Sequence, residues 1–173
     1  NVYAPTRGTI LLNGKSTAGK TTHQVSRMGI ARTFQNIRLF GNMTSLDNVK
    51  VGLHNHMKEN LLAAMTHGFG YAKAEREASE EALKLLDFFH MTDVAYEDAA
   101  SLPYGAQRRL EIARALATKP SILLLDEPAA GMNPSETAEL MENIRRIRDT
   151  FGIAVVLIEH DMNLVMNICE GIC

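Results

Sequence analysis

Two aliphatic runs in the last third of the chain end on groups that can do acid–base or metal chemistry. Ile122 to Leu125 is followed by Asp126-Glu127-Pro128, and Ile153 to Ile158 by Glu159-His160-Asp161. A carboxylate at the end of a buried strand can hold Mg2+, a hard ion that prefers oxygen and keeps much of its water; Asp126 is the candidate here. Glu127, one residue on, can orient or deprotonate an attacking water. His160 occupies the matching point of the second run and is grouped with them. The proline after Asp126-Glu127 and the aliphatic run before it set this pair apart from an ordinary acidic turn.

A more literal motif lies near the start. Gly14 to Thr21, GKSTAGKT, fits the phosphate-loop pattern G-x-x-x-x-G-K-[ST]. A working loop of this kind joins a buried strand to a full helix, so that backbone N–H groups and the helix dipole converge on phosphate. Here the preceding apolar stretch, residues 9–12, is closed by Asn13-Gly14, a strong hairpin signal. Only His23 to Met28 then remains before Gly29, with Val25 and Met28 as its apolar positions. The string is therefore expected to be a decoy in a surface connection.

A third stretch, SLPYGAQRRLEIARAL from Ser101 to Leu116, is a glycine-containing turn running into an amphipathic helix. Leu110, Ala113 and Leu116 would face inward. The N–H groups at the start of such a helix suit phosphate. Arg108 and Arg109 read as an ordinary solvated face.

These residues need a scaffold that brings strand ends together. Between the two aliphatic runs, Asn133-Pro134-Ser135-Glu136 gives an N-cap, a first-turn proline and an acidic third residue. Leu140, Ile144 and Ile147 then share one face of a helix. Strand, helix, strand is a parallel crossover, and strands apolar on both faces imply a sheet covered by helices. Ligands of such sheets bind beyond the carboxyl ends of the strands, where Asp126, Glu127 and His160 fall. Residues 73–89 are rich in helix formers and residues 46–65 are expected to be partly helical, so the region from 46 to 100 reads as mostly helical.

The chain of 173 residues has a formal net charge of only -2, which points neither to nucleic acid nor to a membrane surface. Neither aliphatic run approaches the roughly twenty apolar residues of a membrane span. Cys169 and Cys173 read as free thiols of a reducing cytoplasm. His54 and His56 read as part of a solvated loop rather than a metal site.

Taken in order, the pieces resemble the nucleotide-binding subunit of an ABC transporter, and more finely that of branched-chain amino-acid importers. ARTFQ with Gln35 resembles the glutamine loop, LPYGA the signature, ILLLDEP the Walker B strand, AAGMNP the D-loop and LIEHD the histidine switch. One departure is Ala106, where the wider family usually has glutamine. The resemblance implies an α/β fold: a P-loop NTPase-type parallel sheet with a helical subdomain. Residues 1–45 would be a partial ATPase core, 46–100 the helical subdomain and 101–173 the signature helix and Walker B part of the core.

It also implies ATP and Mg2+ as cofactors. Asp126 would serve Mg2+, Glu127 would be the catalytic base, and His160 would contact the γ-phosphate. Gln35 would belong to the catalytic group, serve the metal with Asp126, sense the nucleotide and link it to the membrane subunit, and Leu102, Pro103, Tyr104, Gly105, Ala106 and Gln107 would face the ATP of a second ATP-binding subunit. Further partners would be integral membrane permease subunits and, indirectly, a substrate-binding protein, on the cytoplasmic face of the inner membrane.

Lys20 precedes Gln35 by 15 residues, whereas a working cassette needs a helix and a strand between them, roughly forty residues. The stretch YAPTRGTILLNG resembles the segment just after the Walker A helix in the family. The true Walker A loop is therefore expected before Asn1, the fold is expected to be incomplete at both ends, and this chain alone to be inactive. An ATPase for a lipid or lipopolysaccharide exporter and a non-hydrolysing dimerisation module are the alternatives.

Overall fold

The computed structural model describes residues 7–53 and 69–172. His54, His56, Cys173 and the part of the expected helical stretch 46–65 beyond residue 53 lie outside the described residues.

The chain opens with a hairpin. β1 (Leu11–Leu12) pairs antiparallel with β2 (Lys15–Ser16), Leu11 opposite Ser16 and Leu12 opposite Lys15. Between them Asn13 and Gly14 have φ of 50° and 75°, the pair of left-handed positions that a type I′ turn needs. The strand expected over 9–12 is shorter than its apolar run, and the Thr17 N–H still reaches the Ile10 carbonyl at 3.0 Å.

α1 (Thr22–Arg27) leads to β3 (Ile30–Arg32), the first strand of the main sheet. After α2 (Ser45–Leu53), α3 (Phe69–Phe88) and a 3-10 turn at Ala99–Ser101 come α4 (Tyr104–Ala117) and β4 (Ile122–Asp126). The chain continues through α5 (Pro134–Phe151), β5 (Ala154–Ile158) and α6 (Met162–Ile168). The sheet order is β3-β4-β5, all parallel, with Ala31 beside Leu123 and Leu123 beside Val155.

The crossover from β4 to β5 forms as its sequence predicts. The Asn133 side chain accepts from the Glu136 N–H, and the Glu136 carboxylate accepts from the Asn133 N–H, each at 3.0 Å. This capping box starts α5, and Gly152 at φ 60° ends it. Leu140, Ile144 and Ile147 are buried as expected, and so are Leu110, Ala113 and Leu116 of α4. Leu123 and Leu125 of β4 are fully buried, and burying a side chain of this size contributes about 1.5–3 kcal/mol.

β5 departs from expectation. Val155 and Leu157 pack on the core, but Val156 and Ile158 are 48% and 56% exposed. The run is apolar on both faces, yet among the described residues only one face is covered.

α2 lies against both α3 and α4. Its Asn48, fully buried, accepts from the Phe40 N–H and donates to the carbonyls of Phe40 and Thr44, each at 3.0 Å. One amide thus satisfies the backbone of the loop that enters the helix. Lys50 bridges α2 to α3 through Glu75. Among the described residues no helix is long and apolar enough to cross a membrane.

α2 packs on α4 at Gly52, where an added Cβ would lie 2.4 Å from the Arg114 carbonyl oxygen and 2.7 Å from the Ala117 Cβ. The obstruction is helix backbone and cannot rotate away. Gly52→Ala is therefore expected to destabilise by about 1–3 kcal/mol, despite alanine's better helix propensity. Denaturant unfolding would check this, and unchanged or raised stability would contradict it.

Candidate functional site

Parallel pairing brings the carboxyl ends of β3, β4 and β5 to one edge. Asp126 is the last residue of β4 and lies beside Ile158, the last of β5. Glu127 comes next with φ 44°, in the left-handed region that non-glycine residues seldom occupy. Its N–H still bonds the Ile158 carbonyl at 2.9 Å. Such a conformation costs on the order of 1–3 kcal/mol and persists where its surroundings hold it.

Those surroundings are the residues singled out in the sequence. The Gln35 side-chain amide donates to Glu127 Oε2 at 2.7 Å. His160 Nδ1 stands 3.9 Å from Glu127 Oε1, with its ring largely exposed. The structure therefore gathers Gln35, Asp126, Glu127 and His160 at one strand edge. Beside them, the Glu159 carboxylate accepts from the Ala129 N–H at 3.1 Å and ties the loop after Pro128 to the end of β5.

Asp126 is engaged by a cation that sequence reasoning did not single out. The Arg32 guanidinium donates to its Oδ2 at 2.7 Å. Arg32 also lies 5.1 Å from the centre of the Phe34 ring, whose surface Arg38 covers as well, at 4.6 Å. The donors suited to Mg2+ at this edge are an Asp126 oxygen and the Gln35 amide oxygen, its nitrogen being committed to Glu127. Both are hard oxygen ligands, which fits the ion. Among the described residues no group of three or more His, Cys, Asp or Glu side chains could cage a metal.

The stretch Leu102 to Gln107 is split in its exposure. Leu102 and Gly105 are buried, Ala106 and Gln107 half-buried, and Pro103 and Tyr104 exposed. Leu102 is thus a core anchor, and its carbonyl accepts from the Gln107 amide at 2.8 Å. Pro103 caps α4 with no side-chain bond to its first turn. The Tyr104 hydroxyl donates to the Ala130 carbonyl at 2.9 Å, so this segment is fastened to the loop after Glu127. A Cβ on Gly105 would come within 2.9 Å of the Glu136 carboxylate, itself pinned in the capping box of α5.

Arg108 corrects the sequence reading. Expected on a solvated face, it is fully buried. It donates to the Phe34 and Gln35 carbonyls at 2.7 Å each, to Glu111 at 2.8 Å and to the Tyr104 hydroxyl at 3.3 Å. The one available signal was the Arg108–Glu111 spacing, three residues apart and so on one helix face. Arg109 is half-buried and pairs with Glu139 of α5 at 2.5 Å.

The literal phosphate-loop string does not have phosphate-loop geometry. Gly14 is the second turn residue of the hairpin and Lys15–Ser16 is its return strand, in a sheet separate from β3-β4-β5. Thr21 is an N-cap: its hydroxyl accepts from the Gln24 N–H at 3.3 Å, and the Gln24 side chain accepts from the Thr21 N–H at 2.9 Å. The helix it caps has only six residues.

A family described as ABC transporter matches residues 1–130. The chain is 46% identical, over 170 residues, to the high-affinity branched-chain amino acid transport ATP-binding protein BraF of Pseudomonas aeruginosa, and 45% identical over 170 residues to LivG of Escherichia coli K12, a protein of the same description. Each match covers 98% of this chain and 67% of the relative. Among solved structures it resembles a nucleotide-free ATP-binding cassette from an ABC transporter, with a TM-score of 0.78 and 27% identity over 98% of this chain and 66% of that one. It also resembles an ABC transporter cassette in its ADP conformation, with a TM-score of 0.77 and 27% identity over 95% of this chain and 64% of that one. The chain spans about two thirds of the length of these relatives.

The hairpin geometry carries its own prediction. Thr21→Ala should cost about 1 kcal/mol in unfolding experiments through loss of the cap. Lys20→Ala should leave nucleotide affinity unchanged in an equilibrium binding titration of the full-length gene product. Loss of nucleotide binding by Lys20→Ala would show that the string serves phosphate after all.

Proposed function

This chain belongs to the ABC transporter family, and from that premise we propose that it is the ATP-binding and hydrolysing subunit of an importer for branched-chain amino acids. Its similarity to BraF and LivG supports the transport assignment. The observation that carries the chemistry is Glu127, held in a left-handed backbone conformation with Gln35 on one carboxylate oxygen and His160 toward the other.

Glu127 is the general base. Its Oε2 is fixed by Gln35, which leaves Oε1, on the His160 side, to take the proton of an attacking water. His160 is exposed at the same edge, where its imidazole can contact a terminal phosphate. Asp126 and Gln35 supply the oxygen ligands for Mg2+, which when bound neutralises charge developing on the phosphates. Arg32 occupies Oδ2 of Asp126, so Oδ1 is the oxygen that Asp126 would offer the ion.

Pro103 and Tyr104 are the outward residues of the segment Leu102 to Gln107. They are the part of it able to meet the nucleotide of a second ATP-binding subunit. Integral membrane permease subunits complete the transporter, with the ATPase peripheral to the membrane on its cytoplasmic face.

In the assembled transporter, Glu127→Gln is expected to lower ATP turnover by about 10²–10⁴-fold, the usual contribution of a general base, with nucleotide affinity retained. Uptake of radiolabelled leucine into vesicles should fall in parallel. Unimpaired turnover would remove Glu127 from the role of base. Turnover without any branched-chain amino-acid uptake would remove the substrate assignment.

A further inference from the structure

The glutamine loop has no regular secondary structure of its own between β3 and α2, yet its backbone is held at three residues by one face of α4. Arg108 donates to the Phe34 and Gln35 carbonyls, each at 2.7 Å. Glu111 accepts from the Arg38 N–H at 3.1 Å through Oε1, while its Oε2 binds Arg108 at 2.8 Å. Arg114, the next residue on that helix face, donates to the Arg38 carbonyl. Arg108 is fully buried and Glu111 is 3% exposed, so water cannot take the place of either partner.

Held carbonyl by carbonyl, the loop presents the Gln35 side chain to Glu127. The same guanidinium touches the Tyr104 hydroxyl at 3.3 Å, and that hydroxyl bonds the Ala130 carbonyl at 2.9 Å. One buried cation therefore joins the loop carrying Gln35, the start of α4 and the loop after Glu127.

We infer that Arg108 and Glu111 are positioning residues: a buried clamp that holds Gln35 on Glu127 and makes the glutamine loop move as one body with the segment Leu102 to Gln107. This rests on the catalytic reading of Gln35 and Glu127. Its functional meaning is a coupling inside one subunit. A displacement of the residues that handle its own nucleotide is passed to the segment it offers to a neighbouring subunit, without any change in α4 itself.

Removing one member of the pair would strand the other charge, so the test removes both. Arg108→Met combined with Glu111→Leu replaces a buried ion pair with apolar groups, a change proteins often tolerate without loss of stability. It leaves the Phe34 and Gln35 carbonyls and the Arg38 N–H without their partners. In the assembled transporter, amide hydrogen exchange across residues 33–39 is expected to accelerate at least about tenfold while exchange in β4 stays unchanged. ATP turnover should show kcat lowered by at least about tenfold with KM within about twofold, the pattern of a contact needed for the chemical step rather than for binding. Unchanged exchange across 33–39, unchanged kcat, or acceleration in β4 equal to that in the loop would each overturn the clamp.

Should the double variant fail to fold, Glu111→Gln decides instead. It keeps an acceptor for Arg38 but discharges the partner of Arg108, and exchange across 33–39 should rise with β4 unaffected; no rise there overturns the inference. The exchange measurement does not depend on hydrolysis. A Glu127→Gln control in the same assembly that kept full turnover would count against the catalytic reading and leave the clamp to be judged by exchange.

Discussion

A guanidinium shut away from water needs acceptors for its N–H groups, and the two terminal nitrogens of Arg108 find them in segments far apart along the chain, while its Nε has none among the described residues. Two come from the backbone after β3, one from Glu111 on its own helix and one from Tyr104. Taking an ion out of water costs several kcal/mol unless such bonds are made. The packing of α4 against the turn at Phe34 and Gln35 is therefore obligatory once Arg108 is enclosed. The rest of the edge depends on it: Gln35 is where it can reach Glu127 because its carbonyl is already fixed.

The edge is assembled from elements that could not hold it singly. Parallel pairing supplies the common height of Asp126 and Ile158, and the Ile158 carbonyl receives the Glu127 N–H as the chain leaves β4. Glu159 then ties the turn after Pro128 back to β5. The capping box of Asn133 and Glu136 fixes where α5 begins and sets the Glu136 carboxylate against Gly105. Each bond is ordinary. Their combined effect is to hold Glu127 in a backbone conformation that it would not adopt in an isolated turn.

The crossover and its strand ends were legible in the sequence because each rests on a local signal. A cap, a proline and a 3.6-residue spacing define α5, while continuous aliphatic runs define β4 and β5. The grouping of Asp126, Glu127, His160 and Gln35 could be anticipated from strand direction together with the family resemblance. What escaped was long-range. Arg108 looks like a surface residue in a helix rich in charge, and only the arrival of the Phe34 and Gln35 carbonyls makes it a core residue. Arg32 on Asp126 escaped for the same reason, its partner lying on the neighbouring strand. The half-open β5 escaped because hydropathy records what a face could bury and not what covers it.

The type I′ turn at Asn13 and Gly14 has a consequence beyond this molecule. A two-residue reversal closed by cross-strand pairing asks little of the residues beyond it, so many spellings serve equally well there. Some will match a catalogued string by accident, as GKSTAGKT does. Chain direction tells the two apart: the first glycine here continues a chain reversal between antiparallel strands, whereas a phosphate cradle carries the chain forward into a helix. A search that scored backbone direction alongside letters would pass over this stretch and stop instead at the sheet edge, where a glutamate sits in a conformation usually left to glycine.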